Sequence, residues 1–226
     1  MPSLDFFERL GLFVRRGFLS PEVCANLCRQ IVAVPAQQAQ IYRVGEEERL
    51  DETVRVVEKA SLPIETTSPL EEKFRLLMPE LERHFGASLV GWEQPDYLIY
   101  RPGSFFKPHT DNSSHPNARK VIRRRSVSTV IFLNRESKDL ADDAYGQGNL
   151  TFYRLLDGPH WEACAFPLNA EPGLLIAFPS NQIHEVTPVS FGKRLTVVTW
   201  FLGPKIETQP VSSDPLATPV LESPGQ

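Results

Sequence analysis

The sequence predicts an α+β chain, mainly β, whose short strands close into a sandwich or jelly-roll barrel with helices packed beside them. Three observations carry this prediction. Downstream of Gly91, brief apolar runs recur between Gly, Pro and Asn turns, the pattern of a β-rich core. Upstream, two Ser-Pro pairs stand at the heads of apolar stripes with helical spacing. The length, 226 residues, suits one β-rich domain with a helical support better than two independent domains.

In chain order, Phe13 to Phe18 is a short apolar run that reads as a strand. Ser20 then occupies an N-cap position with Pro21 at the first helical position, where its missing N–H costs nothing, so a helix runs to about Val34. Asp51 to Ala60 carries Val54, Val56 and Val57 among charges and reads as a strand leading to the core. Ser68-Pro69-Leu70-Glu71 repeats the capping device ahead of Phe74, Leu77, Met78, Leu81 and Phe85, which predicts a helix starting there and packed on a sheet. Further strands are expected at 96–100, 125–133, 149–155, 174–178, 184–189 and 195–202. In the last, Arg194, Thr196, Val198 and Trp200 share one face and Leu195, Val197, Thr199 and Phe201 the other. Both faces are mostly apolar, so the strand is predicted to be buried on each. After Pro204 the chain turns to Ser, Pro, Thr and Asp, a composition that buries too little to order itself. The expected organisation is 1–90 as helical and strand support, 91–204 as the β core, and 205–226 as a flexible tail.

The formal charge of −4 leaves no electrostatic footprint for a nucleic-acid partner. No apolar run approaches the length of a bilayer span, and Met1 to Arg9 lacks a basic segment followed by an apolar one, so a soluble, cytoplasmic chain is expected. Cys24, Cys28 and Cys164 make neither a Cys-x-x-Cys pair nor an even disulfide framework, which favours a reducing compartment. Cys24 and Cys28, four apart on a predicted helix, read as apolar packing.

His109-Thr110-Asp111 is the strongest chemical signal. On an extended strand, residues 109 and 111 face the same way and could grip one ion. His184 lies far downstream at the head of a predicted strand, and Arg194 follows ten residues on (194 − 184). Two histidines and one carboxylate are the set that holds Fe(II) on one face and leaves the other open. A guanidinium on a strand buried on both faces needs an anion, because an unpaired charge there is costly.

Several stretches extend this signal: Tyr100 through Pro108 leading into His109-Thr110-Asp111, then Gly146-Gln147-Gly148-Asn149-Leu150-Thr151-Phe152, Pro172 to Phe178, His184 to Pro188, and Arg194 to Trp200. With them the chain resembles the 2-oxoglutarate and Fe(II) dependent dioxygenases, and within these the prolyl 4-hydroxylase-like branch. The resemblance covers roughly the C-terminal half and implies a double-stranded β-helix with helices on one side. It implies His109, Asp111 and His184 as Fe(II) ligands, with 2-oxoglutarate and O2 as cosubstrates and ascorbate as an optional addition. It implies that Arg194 holds the far carboxylate of 2-oxoglutarate, that Tyr100 faces the cosubstrate or substrate pocket, and that Trp200, with Thr196 and Phe132, lines it. Phe132 departs from the pattern, since oxygen-sensing prolyl hydroxylases of animals carry a tyrosine there that helps hold the far carboxylate. The implied reaction is hydroxylation of an unactivated C–H bond on a peptidyl or free amino-acid side chain, with release of succinate and CO2. A non-catalytic cupin-like barrel would bind metal without needing Arg194, and a zinc hydrolase would want a general base that the sequence does not place.

Two polar stretches stand beside these motifs. Asn112 to Arg125 holds His115, Arg119, Lys120, Arg123, Arg124 and Arg125, and Asn134 to Gly146 holds Glu136, Asp139, Asp142 and Asp143. They are expected to frame the pocket mouth and to pair with one another, as loops beside a site often carry specificity. His84, His115 and His160 read as structural. Oligomeric state stays open.

Overall fold

The computed structural model describes residues 2–139, 143–156, 158 and 164–205. His160, Asp142 and the stretch from 206 onward therefore lie outside the described residues. The N-terminal part runs α1 (Leu4–Arg9), β1 (Phe13–Arg15), α2 (Pro21–Ala33), β2 (Ala36–Gln38), β3 (Arg55–Val56), β4 (Glu58–Ala60) and α3 (Ile64–Phe85). Then come β5 (Asp96–Tyr100), β6 (Phe105–His109), α4 (Lys120–Arg124), β7 (Arg125–Phe132), β8 (Arg135–Glu136), β9 (Ala144–Gln147) and β10 (Leu150–Tyr153). The series ends with β11 (Ala165–Leu168), β12 (Leu175–Pro179), β13 (His184–Val186), β14 (Val189–Gly192) and β15 (Arg194–Leu202).

The strands form a seven-stranded sheet in the order β1-β12-β7-β15-β5-β4-β2, a five-stranded sheet β11-β10-β13-β6-β3, and a small sheet β14-β9-β8. This is the double-stranded β-helix architecture. The N-terminal strands are woven into it: β1 pairs with β12, β4 with β5, and β3 with β6. The run 51–60 is not one strand as expected. It splits at the buried Val57 into β3 and β4, which belong to different sheets, so the chain crosses from one layer to the other there.

The capping signal at Ser20 holds, with its hydroxyl accepting from the Val23 N–H at 3.4 Å and Pro21 opening α2. The second one does not. α3 starts at Ile64 with Pro63 as N-cap, and Ser68 sits inside the helix, donating back to the Ile64 carbonyl at 2.8 Å. A Ser-Pro pair suits either position, because a hydroxyl can bond forward to a free N–H or backward to a carbonyl.

α2 and α3 cover the outer face of the seven-stranded sheet. Cys24, Leu27 and Ile31 from one and Leu70, Phe74, Leu77 and Leu81 from the other meet Ile99, Ile131, Val197 and Phe201. Burial pushes the Cys24 thiol up to about 11 and the Cys28 thiol up to about 12, as suits packing residues. The inner face meets the five-stranded sheet through Val130, Phe132, Phe152, Ile176 and Phe178. Alternation along β15 therefore sends Leu195, Val197 and Phe201 to the helices and leaves Arg194, Thr196 and Val198 facing inward. Phe74 is fully buried, with the rings of Phe18, Trp92 and Phe201 around it. Phe74→Ala is expected to lower the unfolding free energy by about 3–5 kcal/mol, read from a denaturant midpoint. A loss below about 1 kcal/mol would show that this layer is not the main core.

Candidate metal centre and anion pocket

His109, Asp111 and His184 meet at one end of the space between the sheets. β6 and β13 run antiparallel with His184 directly opposite His109, which sets the two rings 4.3 Å apart. Asp111 does not share a strand face with His109 as expected, because β6 ends at His109 and Asp111 sits in the bend that follows. Its position comes from a distant segment: the N–H groups of Asp111 and Asn112 both donate to the Ser180 carbonyl, at 2.8 and 3.1 Å. Ser180 is itself buried and tied to β7, through its N–H to the Ser126 carbonyl and through its hydroxyl, which accepts from Ser128.

Each imidazole has its Nδ1 against a backbone carbonyl two residues earlier, Lys107 at 2.8 Å and Gln182 at 2.9 Å. A carbonyl only accepts, so each Nδ1 carries a proton and each Nε2 is the nitrogen left for a metal. The two Nε2 atoms face the carboxylate, His109 Nε2 at 3.6 Å from Oδ1 and His184 Nε2 at 3.5 Å from Oδ2. Burial, followed by His109, pushes His184 down to about 4, with Asp111 opposing. Burial alone would raise the Asp111 carboxyl, but His184, His109 and the Ser128 hydroxyl outweigh it and hold it well below the usual carboxylate range. Two imidazoles and an ionised carboxylate bring their donor atoms within 4.8 Å of one another. Such a set fits a first-row divalent cation.

Arg194 opens β15 beside Tyr100 of β5, and it is 1% exposed. Its guanidinium carbon lies 5.0 Å from the Tyr100 ring centre and 5.1 Å from that of Phe132. Its Nε and Nη2 have no hydrogen-bond partner. On the same strand face the Thr196 hydroxyl and the Trp200 indole N–H are also buried and unpartnered. The inner wall thus carries a file of unsatisfied polar groups, an arrangement native proteins avoid unless a guest completes it. Gly148, at φ +69°, keeps the approach to Arg194 open. A Cβ there would come within 2.6 Å of Val189 and 3.3 Å of the Arg194 Cδ.

Tyr145 was not legible as a site residue. It is buried on β9, its phenol faces the Arg194 charge, and burial above all pushes that phenol up to about 12, so it stays a neutral donor. Where Phe132 offers no hydroxyl, Tyr145 does. The available signal was its place immediately before Gly146-Gln147-Gly148, but the surrounding polar run pointed to a loop at the mouth.

The mouth is built differently from expectation. A cavity of about 740 Å³ opens over His109 and Asp111, walled by residues 37–44, Arg55, Phe106, Ile122, Arg125 and Trp200. The stretch 112–125 contributes to it, but the described residues of 134–146 do not. Nor do the two stretches pair among the described residues: Arg119 meets Glu48 at 2.6 Å, Arg125 grips both oxygens of Glu93, and Arg135 binds Asp143 within its own loop. Both acidic partners of the first stretch come from other parts of the chain because the loop folds into α4 against them. Arg125 also lies 3.7 Å over the Trp200 ring, which fixes that wall. His84 lies in the last turn of α3 with Nε2 against the Gly11 carbonyl, and His115 accepts from the Asn117 N–H, both apart from the metal cluster.

Residues 95–202 match the family model of the 2OG-Fe(II) oxygenase superfamily. A PKHD-type hydroxylase of Teredinibacter turnerae is 30% identical over 106 residues, 47% of this chain and 41% of that one. Another, of Acaryochloris marina, is 36% identical over 101 residues, 45% of this chain and 38% of that one. The chain thus spans about two fifths of the length of the curated relatives it matches. Among solved structures, a Pseudomonas putida prolyl-4-hydroxylase superposes with a TM-score of 0.66 at 23% identity, covering 88% of this chain and 96% of that one. A Trichoplax adhaerens prolyl hydroxylase, in complex with a hypoxia inducible factor peptide fragment, gives 0.66 at 18% identity, with 88% and 86% covered. At these identities the likeness is one of fold.

Proposed function

We propose that this chain, whose residues 95–202 belong to the 2OG-Fe(II) oxygenase superfamily, is a dioxygenase that hydroxylates an unactivated C–H bond of a peptidyl or free amino-acid side chain. The observation that carries the reading is Arg194, a buried guanidinium with two unpartnered donors on the wall that leads from the metal cluster. A barrel that only stored or sensed a metal would have no use for it. The metal cluster alone would equally suit a zinc hydrolase. Arg194 favours a dicarboxylate cosubstrate instead.

His109, Asp111 and His184 would hold Fe(II) through the two Nε2 atoms and the carboxylate. Arg194 would take the far carboxylate of 2-oxoglutarate through its guanidinium edge, with Tyr145 and Thr196 as further donors. Fe(II) with 2-oxoglutarate and O2 supplies the oxidising power for C–H hydroxylation, with succinate and CO2 released. The Tyr100 and Phe132 rings pack beside the buried guanidinium. Trp200, clamped by Arg125 and Glu93, forms the wall between cosubstrate and cavity.

The cavity supports an extended or amino-acid-sized guest, because β2 and β3, the edge strands of the two larger sheets, border it. The peptide bound by the Trichoplax neighbour is consistent with that guest class. The residue bounds 91–204 would delimit the catalytic core, with 1–90 supporting it. No helix among the described residues is long and apolar enough to cross a membrane. The test is anaerobic purification followed by Fe(II), labelled 2-oxoglutarate and O2, with and without ascorbate. Labelled CO2 that requires both added metal and O2 is expected, and release indifferent to either would sink the reading.

A further inference from the structure

The charged side chains that line the cavity are almost all met by an opposite charge. Arg43 binds Asp51 at 3.0 Å, Glu48 binds Arg119 at 2.6 Å, Lys59 binds Asp96, and Arg125 binds Glu93 at 2.6 Å. Asp111 faces the two imidazoles. Arg55 remains. Among the described residues no carboxylate lies within ion-pair distance of it; its Nη1 donates to the Gln40 carbonyl at 3.2 Å, and its buried Nε has no partner.

Arg55 is also held in place. Its guanidinium carbon sits 4.7 Å from the centre of the Phe106 ring, and Phe106 in turn stacks on His109 with ring centres 3.5 Å apart. Phe106 thus backs the guanidinium, Nη1 is engaged and Nε is buried, which leaves Nη2 as the group free to donate toward the cavity. Two ring contacts separate the guanidinium from the metal cluster.

From this we infer that Arg55 anchors a carboxylate carried by the substrate, close to the carbon presented at the metal centre; the inference rests on the hydroxylase reading above. The far carboxylate of 2-oxoglutarate is accounted for by Arg194, which lies on the inner wall, whereas Arg55 lies on edge strand β3 at the cavity rim. Charge fits a single negative group. The paired lining residues cancel, Asp111 answers to the metal, and one positive charge is left, which a carboxylate balances and a doubly charged phosphate would overshoot. Nη2 can also give a carboxylate oxygen a charge-assisted hydrogen bond.

The carboxylate could come from a free amino acid or from an acidic side chain beside the target residue in a peptide, and two matched pairs separate these sources. Full-length protein loaded anaerobically with Fe(II) and 2-oxoglutarate is titrated calorimetrically with L-proline against L-prolinamide. The second pair is a short proline peptide with glutamate against glutamine next to the proline. Charge-assisted hydrogen bonding predicts a preference of about tenfold to a hundredfold for the acid member of one pair. Arg55→Gln is expected to erase it and Arg55→Lys to keep part of it, both binding 2-oxoglutarate as the wild type does. A response in the first pair assigns a free amino acid, and in the second an acidic peptide. No preference in either pair, including no binding at all, overturns the inference, as does a preference that survives Arg55→Gln. Loss of 2-oxoglutarate binding in Arg55→Gln alone would place Arg55 in the cosubstrate site, and its absence in the wild type would remove the hydroxylase reading itself.

Discussion

Asp111→Asn is expected to reduce Fe(II) affinity by at least about a hundredfold and to bring labelled CO2 release down to background. Changes to groups that merely orient metal ligands already cost about 10–100-fold, so losing the sole anionic ligand costs more. Asp111 supplies the only negative charge in the cluster, and burial keeps His184 a weak base. Asparagine has nearly the same shape, and the bonds that position residue 111 run from its own N–H and that of Asn112 to the Ser180 carbonyl. The backbone should therefore stay in place, and the loss can be attributed to charge. Anaerobic Fe(II) titration followed by turnover checks this. Retained affinity with full turnover would mean that the metal is held elsewhere.

Arg194→Met separates ligand binding from folding because its two effects have opposite signs. Breaking a buried charge pair costs about 3–5 kcal/mol, which converts to a loss of 2-oxoglutarate affinity of roughly a hundredfold to several thousandfold. Without ligand, however, the guanidinium is a buried charge with two unpartnered donors, and Glu136, itself half-buried, offsets only part of it. Methionine fills much of the same space between Tyr100 and Phe132 without that charge. The ligand-free variant is expected to be as stable as the wild type or more stable, by up to about 4 kcal/mol. Calorimetric titration with 2-oxoglutarate and denaturant unfolding of the apoprotein test the two halves. A destabilised variant with unchanged cosubstrate affinity would make Arg194 an ordinary structural cation.

These residues were legible to different degrees for physical reasons. Arg194 could be read as buried because alternation along one strand needs nothing beyond the strand itself, and its burial bears that out. The meeting of His109 and His184 needed only that two strands pair. Asp111 was placed by the wrong device, since the bend that carries it is fixed by the carbonyl of a residue far downstream. Tyr145 and Arg55 were missed because each lies in a polar run, where composition indicates solvent. What marks them out is a neighbour, the Arg194 charge beside Tyr145, or the lack of one at the Arg55 Nε, and either is visible only once the surrounding chain is in position. The start of α3 was misread for the same kind of reason, a local signal with two valid readings and no context to choose between them.

The five-stranded sheet is joined at its middle by β13, a strand of three residues, and two of the three residues proposed to hold the metal face each other across its pairing with β6. A cation held there is also a cross-link between strands whose own pairing is short. By mass action, a free metal concentration a hundredfold above the dissociation constant adds about 2.7 kcal/mol to the folded state. A cell short of iron would then hold this chain in a looser and more perishable form, so metal supply would set how much of the protein persists as well as how fast it works.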